Sequence, residues 1–207
     1  MAKRTVEESS LTAVADAIRE RAGTSEPLVF PGEYESVVRG IPDLLEALIT
    51  STLTEYSNDK LTKVKSFTFT ETRMLQKISV PNLTEIPWYC FDGCSSLVEV
   101  NADSATRVAY CGLSRTKVDC IKLPSLKQID GSSFTSSPIS TLILPGATMC
   151  TLGNVDAFSG TNISNGTGFI YVPKSLESSY KSATNWSTYA SQIRAIEDYP
   201  EITGGAV

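Results

Sequence analysis

The chain of 207 residues contains no histidine. That absence removes Ser-His-Asp and Cys-His catalysis, the zincin motif and the commonest metal ligand. No apolar run reaches the 18 or so residues a membrane helix needs, so no membrane insertion is expected. The opening MAKRTVEESS has no apolar h-region, so the reading expects no signal peptide and synthesis in the cytoplasm. Cysteine is sparse and odd in number: Cys90, Cys94, Cys111, Cys120 and Cys150. An odd count without a signal argues against a disulfide framework. The C-x3-C pair Cys90 and Cys94 has no second pair or histidine to complete a zinc site, and reads as small buried hydrophobes. No GxGxxG or Walker pattern occurs, so no cofactor is expected. Surplus positive charge is also missing. The net charge is −5, with 11 acids and 6 bases in residues 1–60 and 12 of each in 61–207. Neither part has the basic excess that neutralises phosphates, which argues against a nucleic-acid partner.

What the chain does have is a repeat. From Leu75 it reads LQKISVPNLTEIPWYCFDGCSS, then LVEVNADSATRVAYCGLSRTK from Leu97, VDCIKLPSLKQIDGSSFTSSP from Val118 and ISTLILPGATMCTLGNVDAFSGTN from Ile139. The starts are 22, 21 and 21 residues apart, a period that marks a leucine-rich solenoid. Period-2 pairs follow each start: Ile78 and Val80, Val100 and Ala102, Ile121 and Leu123, Leu142 and Leu144. Each pair predicts a short strand with one buried face. Further columns are Leu83, Ala105, Leu126 and Ala147; Ile86, Val108, Ile129 and Leu152; and Phe91, Leu113, Phe134 and Phe158. One coil cannot bury these residues alone, whereas stacked coils can.

The ends need covers. LTKVKSFTFTETRM alternates at Val64, Phe67 and Phe69 and predicts a shortened entry strand. After the repeats, Ile170-Tyr171-Val172-Pro173 copies the strand motif. Leu176, Tyr180, Trp186, Tyr189, Ile193 and Ile196 then predict a helical cap. The expected organisation is a helical attachment module in residues 1–50, a connector in 51–60, the solenoid and cap in 61–199, and a flexible tail in 200–207. The expected fold class is α+β.

Within residues 1–50, Leu11, Val14, Ala15 and Ile18 have helical spacing after Ser9-Ser10, an N-cap pair, with Gly23 at the C-terminal end. Pro27 and Pro31 bracket the extended piece Leu28-Val29-Phe30. Tyr34, Val37, Val38 and Ile41 predict a second helix, and Pro42 opens a third. A unit of this size is marginal by itself and needs either the solenoid or another subunit to cover it; another subunit is expected for part of the surface. Leu11, Val14, Ile18, Phe30, Tyr34 and Val38 form its candidate attachment surface, and a homo-oligomer is expected.

Two resemblances extend this reading. Residues 7–41, centred on LTAVADAIRERAG and EPLVFPGEY, resemble the opening module of tail-associated proteins of phages and prophages from Gram-positive bacteria. The repeat columns resemble the BspA-like leucine-rich repeat, LxxIxLPxxLxxIxxxaFxgCxxL, most closely at FDGCSSL and loosely at FTSSPI. The second line departs, with Leu113 for the aromatic and no strand-ending proline. Together they imply a non-enzymatic structural protein of a virion. Its N-terminal module would bind other virion proteins, and its solenoid a host-surface glycan or protein. A bacterial surface adhesin is the alternative, and a cell-wall glycan hydrolase is a weaker one. Trp88 and Tyr110 stand at one column position of consecutive coils with Tyr89 beside them, and are the candidate ligand or partner surface. The competing reading packs them against the N-terminal helices. Glu71, Glu85, Glu99 and Asp119 fall in different columns, unlike the paired acids of a glycosidase.

Overall fold

The computed structural model describes residues 53–203. The predicted helices of residues 1–50, and Leu11, Val14, Ile18, Phe30, Tyr34 and Val38 with them, lie outside these residues. The described part is a solenoid of parallel strands closed by one helix. Its strand side holds β1 (Glu55–Ser57), β2 (Lys77–Ser79) and β3 (Glu99–Asn101). A second side carries shorter strands, β4 (Arg107–Val108), β6 (Gln128–Ile129) and β8 (Thr151–Leu152). The strand side resumes with β5 (Cys120–Lys122), β7 (Thr141–Ile143), β9 (Phe169–Val172) and β10 (Ile193–Ala195). Registers advance one coil at a time, so Ile78 lies over Val100, and Leu142 lies between Ile121 and Ile170. The predicted columns line the interior: Ile78, Ile86, Phe91, Val108, Ile129, Phe134, Leu142 and Phe158 are all at most 1% exposed.

The solenoid starts earlier than the sequence suggested. Leu53, Tyr56, Leu61, Val64 and Phe69 stand 22 residues before Leu75, Ile78, Leu83, Ile86 and Phe91, and they pack into the same core. The expected connector 51–60 therefore contains β1, the strand of the first coil. The expected entry strand at Val64, Phe67 and Phe69 is absent; this stretch runs in turns, with Phe69 buried and Phe67 58% exposed. In the longest line, Cys150 takes the inward position expected of Ala147, which is exposed. At the far end Ile193 belongs to β10 rather than to a helix, paired with Ile170. Residues 200–203, expected in a flexible tail, form a short 3-10 turn.

The strand side is interrupted once. β3 and β5 share no ladder, so the strands divide into two sheets there, while the second side runs past the break through the Ile86–Val108 bridge and the β4–β6 pair. The break follows the proline-less coil, and Asn101 Oδ1 at its edge is buried without a hydrogen-bond partner among the described residues.

The cap satisfies the backbone of the last full coil. Helix α1 (Lys174–Ser182) supplies Tyr180, and the 3-10 turn Trp186–Tyr189 supplies two more rings. Trp186 Nε1 donates to the Cys150 carbonyl at 2.8 Å, and the Cys150 N–H donates to the Tyr180 hydroxyl at 2.6 Å. Tyr189 Oη donates to the Val155 carbonyl at 2.5 Å, and Asn185 Nδ2 to the Leu152 carbonyl at 2.8 Å. Side chains thus stand where another coil would have continued the ladder, which blunts an edge open to further pairing.

Candidate recognition surface

The third side of each coil is made of turns, stitched by backbone bonds such as Phe67 N–H to the Trp88 carbonyl at 3.1 Å and Tyr89 N–H to the Tyr110 carbonyl at 3.1 Å. Two corners of each turn adopt left-handed backbone, except in the coil of Gly160, where only the second does. The first corner column is Phe67, Tyr89, Cys111 and Ser132, with φ of 66°, 54°, 55° and 56°. The second is Glu71, Gly93, Arg115, Ser136 and Gly160, with φ of 58°, 73°, 54°, 59° and 71°. Positive φ crowds the Cβ of an L-residue, so bulky side chains are uncommon there. This chain places a Phe and a Tyr in the first column of consecutive coils.

The aromatic consequence is visible on the surface. Phe67 and Tyr89 stack at 5.0 Å with planes 7° apart, and Tyr110 meets Tyr89 edge-on at 5.6 Å. Trp88 is 53% exposed and Tyr110 42%. Among the described residues the Trp88 indole has no ring partner and its N–H no hydrogen-bond partner. Tyr89 and Tyr110 are thus brought together and Phe67 joins them, while Trp88, next to Tyr89 in the chain, is exposed and touches none of these rings. Alternation with Phe69 predicts an inward Phe67, whereas its offset of 22 from Tyr89 marks it as the same corner one coil earlier. Burial, with the neighbouring Cys111 and Tyr110, pushes the Tyr89 phenol above its ordinary pKa.

The second corner column is ionic. Asp92 is buried, accepts from Ser114 Oγ, and takes both Arg115 Nε at 3.0 Å and Arg115 Nη2 at 2.5 Å. Burial pushes the Asp92 carboxyl up, but the hydrogen bonds from Arg115 and Ser114 and the Arg115 charge outweigh it and hold the pKa low. Glu71 bridges Arg115 at 3.1 Å and Arg73 at 2.8 Å. On the second side, Arg107 pairs with Glu85 at 3.1 Å and with Asp130. Glu99 pairs with Lys77 at 3.4 Å. Glu71, Glu85 and Glu99 are therefore engaged by cations, each at a different place on the solenoid.

The thiols divide by depth. Cys90, Cys94 and Cys150 are buried, Cys111 is half-buried and Cys120 exposed, and all are free. Burial pushes the Cys94 and Cys150 thiols up to about 12.

Stacked parallel coils, inward leucine-type columns and an aromatic cap define a leucine-rich repeat protein. The BspA type leucine rich repeat region matches residues 55–194 in 6 copies, and the chain belongs to that family. The match begins at β1, in agreement with the early start of the solenoid. A domain of this type points to a surface-binding or adhesion role. No curated protein matches the chain.

Proposed function

We propose that the chain is a non-enzymatic recognition protein of a phage virion, attached through residues 1–50 and presenting its solenoid to the host surface. The observation that carries the recognition part is the aromatic block of Phe67, Tyr89 and Tyr110, in ring contact across consecutive coils, with the exposed Trp88 next to Tyr89 in the chain. Exposed aromatics held by a repeat scaffold offer contact area at little entropic cost, and Trp and Tyr dominate binding hot spots. The likeness of residues 7–41 to tail-associated modules supports the virion part. Many copies on one particle would raise a weak single-site affinity by avidity. A bacterial cell-surface adhesin is the second reading, favoured by membership of the BspA-type family. Both use the same surface.

Two measurements test the proposal. An antibody against the solenoid labels purified virions; labelling of the producing cell surface alone selects the adhesin. The purified full chain is retained on host cells, and replacing Trp88 and Tyr110 with alanine abolishes retention while the melting temperature holds. Unchanged retention of that folded variant removes the aromatic block from the proposal. Release of reducing sugar from cell wall would show that the protein is an enzyme after all.

A further inference from the structure

We infer that the aromatic block and the lysine-rich edge of the first coil together bind an acidic glycopolymer, pyranose rings borne in or on a chain that carries carboxylate or phosphate groups. The inference rests on the recognition reading above and names its ligand class.

Three observations converge. Among the described residues no ring stacks on the Trp88 indole and no acceptor takes its N–H, which suits the apolar face and hydroxyl rim of a sugar ring. Phe67 and Tyr89 sit at left-handed corners that a Ser fills in a later coil, so the solenoid does not need rings there. Their strain is not repaid by burial at Phe67, which is 58% exposed. Strain held at an exposed position points to a role outside the fold.

The charge pattern selects the ligand. Lys60, Lys63 and Lys65 fall within six residues, and no acid occurs from 60 to 70. All three are exposed, and among the described residues none makes an ion pair. The arginines on neighbouring coils are already occupied: Arg73 by Glu71, Arg107 by Glu85 and Asp130, Arg115 by Asp92 and Glu71. Lys63 shares a recess of about 220 Å³ with Thr84, Glu85 and Pro87, and Pro87 adjoins Trp88. A polymer whose sugar ring lies on Trp88 would carry its next anionic group toward Lys63, which forms no ion pair among the described residues. Opposite charge across such a contact steers encounter and sets register. A neutral chain would leave the lysines without a role.

The two tryptophans make the test direct. Trp186 is 1% exposed and Trp88 53%, so acrylamide quenching of the full chain reads Trp88. The probes are polygalacturonate, a glucosylated poly(glycerol phosphate) and neutral dextran. The expected result is that one or both acidic polymers shield Trp88, less so as salt rises, and that dextran does not. K63E/K65E should weaken the shielding by about tenfold with the melting temperature unchanged. Polygalacturonate alone identifies a carboxylate ligand, and the glycerol phosphate polymer alone a phosphate one. Equal shielding by dextran, shielding by neither acidic polymer, or an unaffected K63E/K65E variant overturns the inference. Retention on host cells that protease treatment of the cells abolishes, and that acidic polymers do not compete, means a protein receptor. That result overturns the inference and leaves the recognition reading standing. Absence of retention on any cell overturns both.

Discussion

Replacing Trp186 by alanine should remove a large share of the solenoid's stability, whereas the same change at Trp88 should be nearly silent. Trp186 is 1% exposed, meets Tyr180 at 5.2 Å and Phe158 at 6.2 Å, and donates to the Cys150 carbonyl. Truncating a buried Trp costs about 3–5 kcal/mol in lost burial and cavity. Part of that reflects a buried carbonyl left without its donor, which alone costs about 1–3 kcal/mol. Against a typical total of about 5–15 kcal/mol, this is a major fraction. At about 2–4 °C per kcal/mol for a chain of this size, the melting temperature should fall by about 10 °C. Trp88, 53% exposed and without a ring partner among the described residues, should shift stability by less than about 0.5 kcal/mol. Trp186→Phe separates the terms: it keeps most of the ring, loses the N–H, and should cost about 1–2 kcal/mol. Thermal melts and urea midpoints at constant slope provide the readout. A loss below about 1 kcal/mol for Trp186→Ala, or an equal loss for Trp88→Ala, would refute the assignment of Trp186 as the lock on the last coil.

Further expectations follow from the corners and the thiols. Asp92 is held below the unfolded carboxyl value of about 3.9, so its stabilisation is complete above that pH and is lost as pH falls through the folded pKa. The stability gap between wild type and Asp92→Asn should therefore narrow below about pH 4, and a gap independent of pH would contradict the ion-pair account. Phe67→Asn should change stability by less than about 1 kcal/mol, because relief of the left-handed corner offsets the stacking lost with Tyr89; a larger loss in denaturant titration would make Phe67 a structural residue. A thiol reagent at neutral pH should reach at most Cys120 and Cys111 in the folded protein and all 5 cysteines in urea, and rapid native labelling of Cys94 or Cys150 would contradict their burial.

Most of the strand side was legible because strand side chains alternate, so Ile78 and Val80, or Leu142 and Leu144, declare a buried face two residues apart. The first coil escaped notice because it opens with Leu53 and then Tyr56, and polar Asn58 stands where Val80 stands one coil later. Strand β10 escaped because Ile193 fits a helical stripe as well as a strand column. A single short apolar run does not distinguish the two periods. Repeat positions were enough to put Trp88 and Tyr110 on the outside and Tyr110 next to Tyr89, as the structure has them. Phe67 was missed because alternation with Phe69 suggested a strand, whereas backbone curvature at φ 66° turns its ring outward.

By itself, the sequence determined the period, the inward columns and the solenoid architecture. Each of these follows from hydrophobic spacing, which acts through local geometry and needs no knowledge of distant contacts. The tertiary structure decided which corners turn left-handed and which rings stack. It also decided where the strand side breaks and how the cap's Trp186, Tyr180 and Tyr189 take up the last coil's backbone groups. Those features join residues 21 to 36 positions apart, at distances of a few ångströms that only stacking of the coils creates.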